Sequence, residues 1–289
     1  MADALFEEPR LAAVYDPLDP DRSDLDVYAA IADEFGARTV LDIGCGTGTL
    51  ACLLARRGLG VVGVDPAAAS LDVARAKPGA VRVRWIRAEA ADLPPLQVDL
   101  ATMTGNVAQV FVTDRQWDAA LRSVHASLRP GGRLVFETRD PAAKAWLEWN
   151  RARSLSHAEV PGVGVVQSWT EVSAVQGDLV FFRSTFVFEA DGATLTSDST
   201  LRFRRREEVA DSLGSAGFVL DDLRDAPDRP GRELVFIACR PAEGHPGRGS
   251  RYAILEAVRP LIRCAAAGLW VASEIRGFWD SISRAIYAC

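Results

Sequence analysis

The stretch LDIGCGTGT at residues 41–49 decides the fold. It has the pattern of a short buried strand that runs into a glycine-rich turn and then opens a helix. Gly44, Gly46 and Gly48 remove the Cβ atom and permit positive φ, so the backbone can approach a ligand closely. The helix N-terminus that follows favours a carboxylate or another anionic group. A dinucleotide site would show G-x-G-x-x-G for its pyrophosphate, whereas this loop has G-x-G-x-G.

Short apolar runs alternate with helical patterns around this loop. Helices are predicted at residues 49–57, at 67–76 and after Thr113, where Thr113 and Gln116 have the spacing of a capping box. That last helix is expected to stop at the Pro-Gly-Gly of residues 130–132. Strand and helix signals in alternation predict a doubly wound, mostly parallel α/β sheet. The apolar runs are VLDI (40–43), GVVGVD (60–65), VRVRWI (81–86), VDLATM (98–103) and RLVFE (133–137).

The period changes after Arg139. Three amphipathic runs at 163–175, 179–189 and 193–204 are joined by Gly-Asp and Asp-Gly turns, which predicts an antiparallel β meander. Val180, Phe182, Phe186 and Phe188 share one face of the middle run, as in a sheet that covers something apolar. A helix at 207–215 and strands at 218–223 and 233–239 follow. Beyond them lie a linker at 241–250 and an amphipathic helical tail.

Five segments are therefore expected. They are an N-terminal cap segment at 1–39, a cofactor-binding core at 40–140, a helix and meander insertion over the acceptor site at 141–206, a final helix and two strands at 207–240, and a linker and helical tail at 241–289. The fold class is α/β, with a seven-stranded mostly parallel sheet. The tail is amphipathic enough to pack on its own domain or on a second copy, so a homodimer is one expectation.

Composition excludes several classes of protein. The net charge of -6 over 289 residues argues against nucleic acid as the main ligand, because such binding depends on neutralised phosphates. Five cysteines without paired metal spacing indicate reduced thiols and no metal site. No apolar stretch reaches the roughly 20 residues that span a bilayer. The acidic first residues do not resemble a secretory signal, so a cytoplasmic location is expected.

Asp65 ends the GVVGVD run and is followed by Pro66. A carboxylate at this strand end can accept hydrogen bonds from both hydroxyls of a ribose. It can equally cap the next helix, with Pro66 at the first helical position, and the two roles can coexist. Its place after the glycine loop favours ribose binding.

From Val40 to Gly132 the chain resembles the class I methyltransferases that use S-adenosylmethionine (SAM). Asp42, Gly44, Gly46 and Gly48 match the first motif of that family, and Asp65 matches the second. Cys45 and Pro66 lie beside these residues and are expected to contact the cofactor with them. The resemblance implies a Rossmann-like fold, SAM as cofactor and methyl transfer as activity.

Two further motifs extend the resemblance. Residues 87–94 (RAEAADLP) match the third motif, in which an acidic side chain meets the adenine, and 99–109 match the fourth, whose strand end lines the methyl-transfer site. Adenine recognition by Glu89, by a neighbouring amide such as that of Ala90, or by Asp92 stays open. Thr104 and Asn106 are the residues expected to hold the cofactor's ammonium group or the acceptor, and the alternative is that they only form a turn that closes on Gly105.

Three residues outside these motifs are further candidates. Arg22, in the segment that covers the cofactor in relatives, is expected to pair either with the carboxylate of SAM or with one of the nearby aspartates at 19, 21, 24 and 26. Arg139 ends the fifth strand at the edge where open α/β sheets bind ligands, so acceptor contact competes with a surface ion pair. His157, in the segment before the meander, is the histidine placed to act as a general base, against a solvated loop position.

The sequence thus predicts a cytoplasmic, SAM-dependent methyltransferase that transfers a methyl group to oxygen or nitrogen of a small molecule. Methyl transfer to protein or RNA is one alternative, and SAM binding without turnover is another. An oxidoreductase that uses NAD is a remote third, because only the glycine loop and Asp65 favour it.

Overall fold

The computed structural model describes residues 2–242, and the predicted helical tail lies outside them. Within this part of the chain there are eleven strands, β1 (Thr39–Ile43), β2 (Gly60–Asp65), β3 (Val83–Arg87), β4 (Val98–Met103), β5 (Leu128–Arg139), β6 (Ser156–Val160), β7 (Gly164–Gln176), β8 (Leu179–Phe188), β9 (Thr194–Arg202), β10 (Val219–Asp225) and β11 (Glu233–Cys239). The α-helices of the same part are α1 (Ala4–Glu7), α2 (Pro9–Leu18), α3 (Asp26–Glu34), α4 (Thr49–Arg56), α5 (Ala68–Ala76), α6 (Asp114–Ser127), α7 (Arg151–Ser154) and α8 (Arg206–Ser215).

Seven strands form the larger sheet, in the order β10-β11-β5-β4-β1-β2-β3. The strands from β3 to β5 are parallel, and β11 runs antiparallel to both β5 and β10. This arrangement confirms the predicted seven-stranded, mostly parallel sheet. The chain leaves β1 toward β2 on one side and later returns to β4 on the other. The carboxyl ends of β1 and β4 therefore flank a topological switch point, where sheets of this kind bind ligands.

Helices cover both faces of this sheet, as a doubly wound fold requires. On one face α6 and α8 bury Trp117, Leu121 and Leu213 against the strands. On the other face α3 and α4 bury a second apolar cluster that includes Ile31 and Leu54. The two layers place the sheet inside the core.

The predicted capping box at the start of α6 is present. The Thr113 hydroxyl accepts from the Gln116 amide at 3.2 Å, and the Gln116 side chain accepts from the Thr113 amide at 3.1 Å. The helix ends at Ser127, earlier than the expected stop at residues 130–132, because Leu128 is already extended and begins β5.

The insertion between β5 and α8 forms a separate antiparallel sheet, in the order β6-β7-β8-β9. The three predicted runs correspond to β7, β8 and β9. The strand β6 was not predicted, because its sequence SHAEV is mostly polar and exposed, as is common in an edge strand. It pairs with the start of β7.

The N-terminal helices lie between the two sheets. Leu11 and Val14 of α2 are fully buried against Phe186 and Phe188 of β8. The same helices contact α5 of the core. Phe186 and Phe188, two of the four residues of the apolar face predicted for the middle run, thus cover α2, whereas the Phe182 ring lies 4.9 Å from that of Trp149. No helix within 2–242 has the length and apolar character that a membrane span requires.

Candidate active site

A cavity of about 270 Å³ lies at the carboxyl ends of the central strands. The loops after β1, β2, β3 and β4 (residues 44–48, 65–66, 88–90 and 104–107) form what we call its floor. The N-terminal segment 2–25 covers it and forms what we call its roof. The cavity thus occupies the switch point of the sheet.

The three glycines of the first loop have positive φ but different surroundings. A Cβ atom on Gly44 would lie 2.5 Å from Val107, and one on Gly48 would lie 2.4 Å from the Trp85 ring. A Cβ atom on Gly46 would have no heavy atom within 4 Å, and Gly46 lines the cavity. Gly46 is therefore the position where a ligand can meet bare backbone, whereas Gly48 allows packing against Trp85 and does not line the cavity.

Asp65 combines the two roles that its sequence left open. One carboxylate oxygen accepts from the Gly46 amide at 2.8 Å, and the other accepts from the Ala67 amide at 2.8 Å as the chain enters α5. Burial raises the pKa of this carboxyl group. Each oxygen keeps further acceptor capacity, and Asp65 and Pro66 both line the cavity.

Asp42 lies beneath the loop and does not line the cavity. Its carboxylate accepts from the Thr102 hydroxyl at 2.9 Å, which joins β1 to the neighbouring β4. Burial raises the pKa of Asp42 to about 7. The structure thus places this predicted cofactor residue below the floor, where it contacts other parts of the protein.

Both Glu89 and Ala90 line the cavity, after the end of β3. Asp92, the second acidic candidate for adenine recognition, is exposed and lies outside the lining. Of the two acidic side chains considered from the sequence, Glu89 is the one that faces this space.

The roof contributes Phe6, Tyr15 and Arg22 to the lining. The rings of Phe6 and Tyr15 lie 5.7 Å apart, and burial raises the pKa of the Tyr15 hydroxyl. The Arg22 side chain is mostly buried and donates to Asp24 at 3.2 Å. A guanidinium group and a phenol thus face the glycine loop from above.

Comparison with known proteins places this geometry in a family. Residues 40–132 match the family described as Methyltransferase domain. Residues 40–132 are therefore similar to a methyltransferase domain, and we use that name for them below.

Two curated relatives match over the same part of the chain. A cypemycin N-terminal methyltransferase from a Streptomyces species is 36% identical over 106 residues, which are 36% of this chain and 43% of that protein. A ubiquinone biosynthesis O-methyltransferase from Pseudomonas paraeruginosa is 36% identical over 115 residues, which are 38% of this chain and 48% of that protein. The chain therefore spans less than half the length of these relatives.

A solved structure extends the likeness in fold beyond the matched domain. It is an S-adenosylmethionine-dependent methyltransferase from Clostridium acetobutylicum, with a TM-score of 0.65 at 17% identity. The superposition covers 81% of this chain and 99% of that one. The methyltransferase domain and its insertion thus share a fold with that structure.

The turn after β4 contributes Thr104 and Gly105 to the cavity of the methyltransferase domain. Asn106 is buried behind the turn and does not line the cavity. Its backbone amide donates to Glu137 at 2.6 Å, and its side-chain amide donates to Glu233 at 3.0 Å. This predicted site residue therefore binds the protein itself.

The structure does not bring the two predicted catalytic residues to the cavity. The Arg139 side chain lies 3.5 Å from Glu233 and 5.4 Å from the centre of the Trp149 ring, outside the lining. His157 is exposed on the edge strand β6. Arg139 forms an ion pair, but its partner Glu233 is buried, whereas the alternative considered from the sequence was a pair at the surface. His157 is solvated, as the alternative for it stated, although it lies in a strand and not in a loop.

Other residues that line the cavity were not predicted from the sequence. Val110, Gln116 and Thr200 line the cavity, and they also line a second, more open cavity of about 750 Å³ beside β7, β8 and β9. Asp3 likewise lines both. The sequence around Gln116 predicted only a helix cap, and the sequence around Thr200 predicted only a strand. Neither pattern predicts a position in a cavity. Their shared position depends on how the insertion packs against the methyltransferase domain.

Proposed function

We propose that the chain binds SAM in the first cavity and transfers its methyl group to oxygen or nitrogen of a small molecule held in the second. The observation that carries this proposal is the junction of the two cavities, which share Asp3, Val110, Gln116 and Thr200. A methyl donor and an acceptor need adjoining spaces because the transfer is a direct displacement, for which alignment supplies much of the rate.

The residues of the first cavity suit SAM. Gly46 leaves open the space that a Cβ atom would fill. Because they line this cavity, Asp65 is the residue we propose to accept from the ribose hydroxyls, and Glu89 and Ala90 are those we propose for the adenine. Arg22 is proposed to pair with the carboxylate of the cofactor. When bound, SAM supplies a methyl group on a positively charged sulfur, which is an already activated leaving group.

The chemistry at the junction rests on few ionisable groups. Among the described residues that line the first cavity there is no histidine and no lysine. A neutral amine can attack without a base, whereas a hydroxyl group needs one. Asp3 is the carboxylate that lines both cavities and is therefore the base we propose for a hydroxyl acceptor. We assign no chemical step to Arg139 or His157.

Charge and relatives support a small acceptor over a nucleic acid. The net charge of -6 disfavours a polyanionic ligand. The two curated relatives are named for an O-methyltransferase and an N-terminal methyltransferase, so their names leave both attacking atoms open. Transfer to protein or RNA, and binding without transfer, are therefore separate arms of the test.

The cofactor half of the proposal is tested by calorimetry with SAM. We expect Glu89→Ala to weaken binding roughly tenfold, which corresponds to about 1.4 kcal/mol. Asp92→Ala is the matched control, because it removes an acidic side chain three residues away that lies outside the cavity. Equal effects of the two variants, or no binding of SAM by the wild type, would contradict the proposed site.

The acceptor half is tested with methyl-labelled SAM in three parallel arms. The protein is incubated with a small-molecule extract, with a protein fraction and with total RNA. We expect label in the small-molecule arm, and Thr200→Val should reduce it by altering the junction. Label confined to protein or RNA would overturn the small-molecule proposal, and tight SAM binding with no label in any arm would indicate a protein without turnover.

A further inference from the structure

A group of hydrogen-bonded side chains lies behind the turn that follows β4. At its centre is Glu137 of β5, which is only 4% exposed. Its carboxylate accepts from the hydroxyl of Tyr28 and, at 2.6 Å, from the backbone amide of Asn106. Burial raises the pKa of Glu137 to about 7. A buried carboxyl group of this kind persists only where its hydrogen bonds are satisfied.

Asn106 has φ of 62° in the left-handed region, which a residue with a Cβ atom rarely adopts. Such a conformation is strained and persists where the surroundings fix it. Here two anchors fix it. The backbone amide binds Glu137, and the side-chain amide binds Glu233, which itself lies 2.9 Å from Arg229.

The fixed turn forms part of the cavity. Thr104 and Gly105 precede Asn106 and line the floor, and Val107 follows it. Val107 is also the residue that a Cβ atom on Gly44 would strike at 2.5 Å. A shift of the turn would therefore move two neighbouring loops of the cofactor cavity together.

Tyr28 connects the same group to the segment above the cavity. It lies in α3, is 6% exposed, and follows a turn whose Leu25 and Arg22 line the cavity. The hydrogen bond between Tyr28 and Glu137 spans 109 residues of sequence. One carboxylate thus holds both the turn after β4 and the helix that follows the roof.

We propose that Glu137 is a positioning residue of the methyl-transfer site, which fixes the 104–106 turn of the floor and α3 beside the roof in one arrangement. It touches neither cavity, so it acts through the residues that it holds. This inference rests on the proposed function, because it assumes that the cavity binds SAM.

The experiment compares two substitutions at one position. Glu137→Met removes both hydrogen bonds at similar size. Glu137→Gln keeps them, since its oxygen can accept from the Asn106 amide and its nitrogen can donate to the Tyr28 oxygen. We expect SAM binding, measured by calorimetry on the full chain, to weaken at least tenfold in Glu137→Met and less than threefold in Glu137→Gln.

A matched control separates positioning from stability. Ser212→Ala removes a 2.7 Å hydrogen bond from the buried Trp117 side chain, on the far side of the sheet from α3. It should lower the midpoint of urea unfolding without changing SAM affinity. Hydrogen exchange of the Asn106 amide, followed by NMR, should accelerate in Glu137→Met and stay unchanged in Ser212→Ala.

Each outcome bears on the proposal. SAM affinity within threefold of wild type in Glu137→Met overturns it, and so does an equal loss in Ser212→Ala. If Glu137→Met does not fold, Tyr28→Phe replaces it, with an expected loss of threefold to tenfold, and wild-type affinity in that variant overturns the proposal. Failure of the wild type itself to bind SAM refutes the proposed function, and this inference with it.

Discussion

The floor and the roof of the cofactor cavity are held in different ways. The floor depends on backbone geometry at glycines and on a nearby carboxylate, as in the 2.8 Å hydrogen bond from the Gly46 amide to Asp65. The roof depends on side chains that reach across the fold. Asp16 of α2 accepts from the Thr47 hydroxyl at 2.7 Å and lies 2.6 Å from Lys77. The glycine loop of the floor follows from a local sequence pattern, whereas the roof is joined by side-chain contacts between residues distant in the sequence.

The other contacts of the roof follow the same rule. Glu7 accepts from the Ala68 amide at 2.8 Å, at the first turn of α5. The Ser70 hydroxyl donates to the Phe6 carbonyl at 2.9 Å. Polar contacts of this kind at partly exposed positions contribute about 1 kcal/mol or less each. We therefore expect substitutions at closely packed positions of the floor to affect folding strongly and substitutions in the roof to affect mainly binding.

The largest effect is expected at two of the three glycines of the floor loop, Gly46 and Gly48. Gly48→Ala places a Cβ atom against Trp85 at a φ of 77°, so steric overlap and backbone strain together should reduce the free energy of unfolding by roughly 3 kcal/mol. Gly46→Ala has open space at a φ of 51° and should lose only about 1 kcal/mol, from backbone strain.

Urea unfolding and SAM calorimetry on both variants measure this contrast. Gly46→Ala should weaken SAM binding at least tenfold, because its methyl group enters the cavity. If Gly48→Ala were as stable as Gly46→Ala, Trp85 would have to move freely, and the packing argument for Gly48 would fail.

The next effect concerns the pH dependence of stability below the floor. Burial raises the pKa of Asp42 from 3.8 to about 7, so the folded state binds a proton more tightly than the unfolded state. The stability that this group contributes is full below pH 4 and is lost as the pH rises through about 7. Between pH 5.5 and 8 the loss due to Asp42 should be about 2 kcal/mol.

Urea unfolding at those two pH values, with Asp42→Asn for comparison, isolates this contribution. The variant lacks the titrating carboxyl group and should lose about 2 kcal/mol less than the wild type over the same interval. The other buried carboxyl groups, including Glu137, titrate in both proteins and cancel in the difference. An identical slope in the two proteins would show that Asp42 is ionised throughout.

The sequence predicted the floor well and the roof poorly, for a physical reason. Glycine spacing, the strand-end carboxylate at Asp65 and the capping box at Thr113 are local patterns that constrain the backbone within a few residues. Asp16 carries no such signal, because its partner Thr47 is 31 residues away. The position of Thr200 at the junction of the two cavities depends on how the insertion packs, and no local sequence pattern predicts that packing.

Two residues that the sequence predicted for the site do not line the cavity. Asp42 and Asn106 match motifs that surround the cofactor, yet both are buried and hydrogen-bonded to protein groups. A motif places a residue near a site, but it does not distinguish a side chain that faces the ligand from one that holds the loop. That distinction requires the coordinates of Thr102 and Glu137, the partners of these two residues.

A smaller effect is expected at the contact between roof and floor. Asp16→Asn and Lys77→Met each remove one side of an ion pair whose side chains are 25% and 21% exposed. Each should weaken SAM binding about fivefold, roughly 1 kcal/mol, with little change in the free energy of unfolding. The double variant should lose less than the sum, because both substitutions remove the same contact. Strict additivity in calorimetry would show that the two side chains act separately.

The smallest effect is expected at His157, the general base considered from the sequence. His157→Gln should leave both SAM affinity and the rate of label transfer within twofold of wild type, because this side chain is exposed on β6 and lies outside both cavities. Asp3→Asn is the informative comparison, since Asp3 lines both and should lose transfer to a hydroxyl acceptor while retaining SAM binding. A tenfold loss of transfer in His157→Gln, with SAM binding intact, would mean that β6 faces the acceptor bound by a second copy of the protein. That result would favour a homodimer in which each copy completes the site of the other.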